Sequence, residues 1–352
     1  MEIKNNKDIN NIEAELNYKS FAHFQNVNRN NLWHFFENNE LKNLRPTAET
    51  EIRKILFLKK LRGQNRKYKK YLESPLRYAG GKSWAVGYVI ELLPSNIKRL
   101  ISPFFGGGSI EIAVAKELGI PVLGYEIFDI LVNYWQVQIK YPKKLYEILK
   151  KLKPEKETYN KIKLILYKHW KREIKLDPIT LAAYYFFNHN LSYGPMFLGW
   201  VSSVYARPHT YRKMLEKVKN FKVNNLWVEG GSFEEVIPKY KYDFLYCDPP
   251  YYLGNDSKVF VGLYPNRNFP IHHVNFDHKL LRDILQEHKG GFILSYNNAP
   301  TIKKWYSFCE IIEVPVHYTM GQGELRIGKF RQKNNTNHIK KTTELIIVRY
   351  PE

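Results

Sequence analysis

Cysteine, acidic residues and long apolar runs are scarce in this sequence. Its 352 residues include two cysteines, Cys247 and Cys309, too few for a disulfide framework or a four-thiolate zinc site. Nowhere do about 18 uncharged apolar residues follow one another, so no transmembrane helix is expected. Residues 1–20 lack the apolar core of a signal peptide. His272 and His273 are adjacent, poor geometry for sharing one metal, and no carboxylate–histidine zinc spacing surrounds them, so no metal site is expected. These absences describe a soluble protein of a reducing compartment, with a cytoplasmic location and no membrane partner.

Acids number 34 against 55 Lys and Arg, a formal net charge of +21. Solubility alone does not call for such an excess; a polyanionic partner, nucleic acid above all, does. The hydrophobic fraction of 44% is ample for a core, and the length suggests about two domains.

Residues 1–72 read as a basic N-terminal extension. Its stretch Ile52 to Lys70 has nine Lys/Arg and no acid. As a helix it would place Ile55, Leu58 and Leu61 on one side and stop near Gly63 and Asn65. It is either a phosphate-contacting arm or a solvated basic linker. From residue 73 the pattern changes. A helical stretch (Ser83 to Leu93) leads to an apolar strand (Arg99 to Phe105), the glycine turn Gly106 to Ser109, a helix closed by Gly119, and a second strand ending at Glu126. Strand, turn, helix and strand make a βαβ unit and hence a parallel sheet. Residues 140–225 break that rhythm as a Lys- and aromatic-rich, mainly helical insert. Strand character returns before Gly230, again before Asp248, and at Phe292 to Asn297. A long polar loop then precedes a last strand ending near Tyr350.

Two places carry chemistry. Gly106, Gly107 and Gly108 lie between a buried strand and a helix N-terminus, where glycine admits positive φ and lets a ligand approach the backbone. Glu126 ends the next strand about twenty residues on, a spacing at which a carboxylate can hold ribose hydroxyls. The turn departs from G-x-G-x-x-G and no Walker lysine follows, which disfavours NAD and ATP. The second place is Asp248-Pro249-Pro250-Tyr251, at the C-terminal end of an apolar strand, the ligand-binding edge of a parallel sheet. The prolines fix the backbone and remove two N–H donors. What remains is a carboxylate, a carbonyl oxygen and an aromatic ring, suited to a planar group bearing an exocyclic NH₂. Cys247, just before it, fits a core position better than a nucleophile's.

The ordered set RYAGGK (Arg77 to Lys82), PFFGGGS (Pro103 to Ser109), YEI (Tyr125 to Ile127) and CDPPY (Cys247 to Tyr251) resembles the Dam-type, alpha-group adenine-specific DNA methyltransferases. The likeness runs from about Ser74 to Tyr350. It implies a Rossmann-like α/β sheet using S-adenosylmethionine, with residues 73–139 and 226–352 as catalytic domain and 140–225 as target-recognition insert. By the same resemblance Tyr78, Lys82, Phe105, Gly106, Gly108, Glu126 and Ser232 would contact the cofactor, together with Asp248. Asp248, Pro249, Pro250 and Tyr251 would be catalytic. Glu126 stands where many relatives have aspartate. The segment Gly230 to Phe233 departs from an Asp-Phe pair, so Ser232 would bind the cofactor adenine more weakly.

The implied reaction is methyl transfer to the N6 amine of adenine in double-stranded DNA, with the base flipped and stacked on Tyr251. A cognate restriction endonuclease would be the functional partner. The loop Asn188 to Arg207, with Asn190 and Tyr193, is a candidate base reader, and its NHNLSYG stretch looks like members that read CATG. Six Lys/Arg from Leu325 to Lys341 could grip phosphate. Competing readings are methylation of a cytosine amine, RNA or a protein glutamine, and a DNA-binding relative without chemistry.

Overall fold

The computed structural model describes residues 46–64, 67–252, 276–316 and 342–351. His272, His273, Asn65 and the 325–341 basic stretch lie outside the described residues, as do residues 1–45. Among the described residues, helix α1 (Pro46–Leu61) comes first, followed by α2 (Val86–Leu92) and β1 (Leu100–Ser102). Next is α3 (Ser109–Ala113), which runs on as a π turn (Val114–Leu118) and closes at Gly119 with φ 75°. Strand β2 (Val122–Glu126) then leads into five helices: α4 (Asp129–Lys140), α5 (Pro142–Lys151), α6 (Lys156–Trp170), α7 (Pro178–Leu191) and α8 (Pro208–Asn220). The remainder is β3 (Leu226–Gly230), α9 (Phe233–Lys239), β4 (Phe244–Cys247), α10 (His278–Glu287), β5 (Phe292–Asn297), α11 (Pro300–Trp305), β6 (Glu310–Val316) and β7 (Thr342–Arg349).

The seven strands form one sheet in the order β3-β2-β1-β4-β5-β7-β6. Pairing is parallel from β3 through β5, and β7 runs antiparallel to both β5 and β6. β4 and β5 are buried at every position, as strands covered on both faces must be. One apolar cluster, including Val89, Ile112, Tyr134 and Phe186, lies under α2 to α4 and continues into the insert. The other, including Ile101, Val236, Leu281 and Ile302, lies beneath α9 to α11. The chain lays down β1, β2 and β3 outward, then returns to β4 on the far side of β1. Strand order therefore reverses between β1 and β4, and a crevice opens beyond their carboxyl ends.

The expected polar loop before the last strand begins with a strand, β6, paired along β7 from Glu310 to Val316. Its Glu310, Glu313 and Pro315 conceal it in the sequence. On an edge strand those residues are tolerated, because one side needs no ladder partner, and they block further pairing.

α7 is the axis of the insert, apolar around most of its surface and packed among α4, α5 and α6. Asp177 starts it, its side chain accepting from the Ile179 and Thr180 N–H groups at 3.1 and 3.0 Å, with Pro178 in the first turn. α1 packs on the sheet domain through Phe57, Leu58 and Leu61. Ala48, Ile52, Lys54, Phe57, Leu58 and Leu61 are buried, the last four in an i, i+3, i+4, i+7 pattern, while Ile55 is half-buried. Lys54 is 8% exposed and donates to the Leu93 carbonyl at 2.7 Å. Burial holds its pKa below the ordinary lysine value, against the pull of Glu51 and Glu91.

Candidate active site

Both sequence-derived sites lie at the strand-order reversal. β1 and β4 are neighbours in register (Leu100↔Phe244, Ile101↔Leu245), so the glycine turn leaving β1 lies beside the turn leaving β4. Gly106 and Gly108 have φ of 48° and 65°, a region where a side chain is strained. Gly107 is small for a different reason: a Cβ there would come within 2.6 Å of the Tyr78 Cβ and 3.0 Å of its ring. The turn is tied at several points. Phe105 N–H donates to the Tyr125 carbonyl at 2.9 Å, the Trp135 indole N–H donates to the Gly106 carbonyl at 2.9 Å, and Ser74 Oγ donates to the Gly107 carbonyl at 2.7 Å. The Phe105 ring is 2% exposed and packs on Trp135, so this residue presents backbone to the crevice.

Glu126 closes β2 with its carboxylate at the same turn. It accepts from Gly106 N–H at 3.0 Å and Phe128 N–H at 3.1 Å. Burial lifts its pKa above the ordinary carboxylate range, against those N–H groups and that of Ile127. Ile127, next in the chain, is 61% exposed. On the other side of Glu126, its carbonyl accepts from Gly231 N–H at 3.2 Å, which draws in the loop bearing Ser232. Ser232 is half-buried at the N-terminus of α9, its Oγ 3.4 Å from Glu234. Phe233 beside it stacks on Phe104 with centroids 5.7 Å apart and lies 5.1 Å from Phe276.

At the end of β4, Lys82 is 4% exposed, and its ammonium lies 2.8 Å from Asp248 Oδ1. The same ammonium donates to the Gly80 carbonyl at 2.8 Å and stands 4.7 Å from the Tyr251 ring centroid. The Tyr251 hydroxyl donates to Glu344 on β7. Burial raises the Asp248 carboxyl to about 6 and Glu344 adds to that, while Lys82 opposes it. Burial works against the charge of Lys82, but Asp248, Glu344 and Glu111 together hold its pKa above the ordinary lysine value. Asp248 is therefore ionised at neutral pH with its countercharge in place. Behind this pair, Glu111 accepts from Ser102 Oγ at 2.6 Å, and burial pushes its carboxyl up to about 8. Asn297, ending β5, donates to the Tyr252 carbonyl at 2.8 Å and steadies the exit from the turn. Pro249 is buried and Pro250 half-buried. Cys247 is fully buried on β4, where burial pushes its thiol up.

The loop from Ser74 to Lys82 is fastened to the end of α7. Asn190 is fully buried, accepting from Arg77 N–H at 2.9 Å and donating to the Pro75 carbonyl at 3.1 Å. The Arg77 guanidinium donates to the Asn190 carbonyl at 2.6 Å and lies over Tyr205 at 3.2 Å. His189 Nε2 lies 2.8 Å from the Arg77 carbonyl, an acceptor, so the proton sits on Nε2 and Nδ1 accepts from Tyr185 at 3.3 Å. Burial lowers His189 to about 3, so the ring is neutral. The Tyr78 ring stacks on it at 5.8 Å. Asn188 and Asn190 face inward, whereas Tyr193 and Trp200 in the following loop are 67% and 81% exposed.

The fold thus brings Tyr78, Lys82, Gly106, Gly108, Glu126, Asp248 and Tyr251 to one edge of the sheet, with Ser232 adjoining through Gly231. Glu111, Glu344 and the aromatic group Phe104, Phe233 and Phe276 join them without having been singled out in the sequence, and Asn190, expected in a base-reading loop, is instead buried and bonded to the Ser74 to Lys82 segment. Phe104 and Phe233 each adjoin a recognised motif, and Glu344 opens the apolar run of the last strand. Glu111 looks like any residue of a helix first turn. Among the described residues, no group of three His, Cys, Asp or Glu side chains is placed to hold a metal.

A mainly parallel sheet with this strand order, with a glycine turn and a carboxylate beside an Asp-Pro-Pro-Tyr turn at its strand-order reversal, has the architecture of a ligand-binding α/β fold. The family model for the D12 class N6 adenine-specific DNA methyltransferase matches residues 78–320, and the chain belongs to that family. Among curated proteins it is similar to Modification methylase StsI of Streptococcus sanguinis, with 26% identity over 249 residues, 64% of this chain and 36% of that protein. It is also similar to Type II methyltransferase M.FokI of Planomicrobium okeanokoites, with 26% identity over 216 residues, 56% of this chain and 32% of that protein. The matched region is about a third of the length of each of these relatives.

Proposed function

We propose that this protein transfers a methyl group from S-adenosylmethionine to the N6 amine of adenine within a short duplex DNA site. The observation that carries this reading is the juxtaposition, across neighbouring strands β1 and β4, of a glycine turn with positive φ at Gly106 and Gly108 and an Asp-Pro-Pro-Tyr turn whose aspartate is ion-paired to a buried lysine. The residues at the edge of the sheet suit the cofactor. Glu126 retains lone pairs for ribose hydroxyls beyond its two backbone donors, Ile127 offers an exposed apolar face to a ring, and the glycine backbone can be approached closely. Tyr78, Lys82, Phe105 through its backbone, Gly106, Gly108, Ser232 and Asp248 complete the assignment. When bound, the cofactor supplies a sulfonium methyl open to in-line attack.

The rest of the work falls to this chain's own residues. The adenine amine is a weak nucleophile because its lone pair is delocalised into the ring. Asp248 and the Pro249 carbonyl accept its two hydrogens, which concentrates electron density on nitrogen, and Lys82 keeps the aspartate charged in a dry site. Pro250 fixes the turn, and Tyr251, restrained by Glu344, provides the aromatic wall. The target nitrogen is inaccessible inside a duplex, so the base must leave the stack. The insert 140–225 is assigned to target recognition, with exposed Tyr193 and Trp200 on its outer loop. One relative named a modification methylase and another named a Type II methyltransferase support a restriction-modification role, and a cognate endonuclease and a cytoplasmic location are part of the same proposal. No helix among the described residues is long and apolar enough to cross a membrane.

An Asp248→Ala variant tests the reading. It should retain DNA and S-adenosylmethionine binding and lose methyl transfer by at least about a thousandfold, the scale for removal of a key electrostatic group. Full retention of transfer would remove Asp248 from the chemistry.

A further inference from the structure

A second feature lies outside the crevice. A cleft of about 830 Å³ opens between residues 62–64 and 67–70, α2 and the end of β6, and Arg62, Lys69, Lys70, Trp84, Tyr88 and Val316 line it. Lys67 also lines the cleft, and its charge is met by Glu91 at 2.7 Å. Among the described residues, Arg62, Lys69 and Lys70 have no acidic partner, and all three are exposed. Among the described residues that line the cleft, four are cations and none is an acid, and Glu91 outside the lining meets one of the four. Two half-buried aromatic rings, Trp84 and Tyr88, stand 6.5 Å apart within it.

The cleft is joined to the active site through backbone. Tyr71 N–H donates to the Ser83 carbonyl at 2.8 Å, and Ser83 separates Trp84 from Lys82, whose ammonium pairs with Asp248. Duplex DNA carries about one phosphate charge per 1.7 Å of axis, so a duplex that delivers its base to Asp248 brings further phosphates past neighbouring surface. We propose that this cleft seats the sugar–phosphate backbone of the duplex beside the target base, with Arg62, Lys69 and Lys70 neutralising phosphates and Trp84 and Tyr88 packing against sugar. The proposal rests on the DNA methylation reading and adds a substrate contact to it. Cations interleaved with aromatic faces favour a nucleic acid over an acidic protein segment.

The test uses the full chain with Arg62→Ala, Lys69→Ala and Lys70→Ala combined, and Lys69→Glu with Lys70→Glu as a second variant. Fluorescence anisotropy with a labelled random-sequence duplex is followed between about 50 and 200 mM salt. Each phosphate contact contributes about 0.9 to the slope of log affinity against log salt, so the triple variant should lose roughly 2 to 3 from that slope. Melting temperature, S-adenosylmethionine binding and the single-turnover rate at saturating DNA should stay unchanged. The charge-reversed variant should bind the duplex still more weakly. An unchanged slope overturns the proposal, as does a wild-type chain that binds no duplex, or variants that lose binding of a polyglutamate peptide and keep that of DNA. If methyl transfer to DNA is found and the slope is unchanged, the methylation reading stands and the cleft assignment falls. A flattened slope in a chain that transfers no methyl group gives the reverse.

Discussion

Replacing Lys82 with Met removes the only cation placed on Asp248 among the described residues while keeping most of the side-chain volume. The ammonium lies 2.8 Å from Oδ1, and Lys82 is 4% exposed. Breaking a buried pair by deleting one partner costs about 3–5 kcal/mol, because the remaining charge is left uncompensated. An aspartate relieves that cost by binding a proton, and 1.36 kcal/mol corresponds to about one pKa unit, so the carboxyl should rise by roughly 2 to 4 units from its starting value of about 6. The proposed methyl transfer uses the ionised form. In the wild type kcat should therefore fall as pH drops through about 6. In Lys82→Met that acid limb should move to roughly pH 8–10, leaving about a tenth or less of the activity at pH 7 and recovering it at higher pH. Steady-state kcat at saturating S-adenosylmethionine and DNA, measured across pH for both proteins, separates this from weakened cofactor binding, which would raise KM. An acid limb that stays at about 6 in the variant would refute the electrostatic role given to Lys82.

Three further outcomes follow from the same geometry. Glu344→Gln keeps an acceptor for the Tyr251 hydroxyl but removes a negative charge that helps raise Asp248, so the acid limb of kcat should shift downward with KM for S-adenosylmethionine unchanged; a uniform drop in kcat at every pH would reduce Glu344 to a packing role. Glu111 binds its proton in the native state up to about pH 8 and in the unfolded chain only to about 4.5, so its burial costs stability as pH rises through that window, by at most about 1.4 kcal/mol per unit. Glu111→Gln, which preserves an acceptor for Ser102, should therefore melt higher than the wild type at pH 8 and no higher at pH 4.5, and a pH-independent difference would contradict the assignment. Asn190→Ala leaves the Arg77 N–H and the Pro75 carbonyl without a buried partner, at a cost of about 1–3 kcal/mol per orphaned group; urea unfolding should show it, with a raised KM for S-adenosylmethionine if the Tyr78 loop shifts.

The features legible in the sequence have local causes. A glycine triplet after an apolar strand requires a particular backbone, and Asp-Pro-Pro-Tyr leaves few conformations open to the chain. Both can be read without knowing what lies nearby. β6 was hidden because an edge strand need not look apolar, and Pro315 and two glutamates on it argue for loop unless β7 is known to lie beside them. Contacts distant in the chain were equally hidden: Tyr251 is 93 residues from Glu344, and Arg77 is 113 from Asn190. Asn190 shows the consequence most clearly. Its setting among Asn, Ser and Tyr suggests a base-reading loop, yet its side chain is spent on holding the Ser74 to Lys82 segment, and only the fold reveals that.

Methyl transfer from labelled S-adenosylmethionine to unmethylated plasmid DNA, followed by base-modification sequencing, tests the central claim most directly. The geometry predicts N6-methyladenine at one short motif, absent from DNA treated with Asp248→Ala. Labelled RNA, protein or cytosine with unmodified adenine would contradict it, as would no transfer at all by a chain that binds both S-adenosylmethionine and DNA.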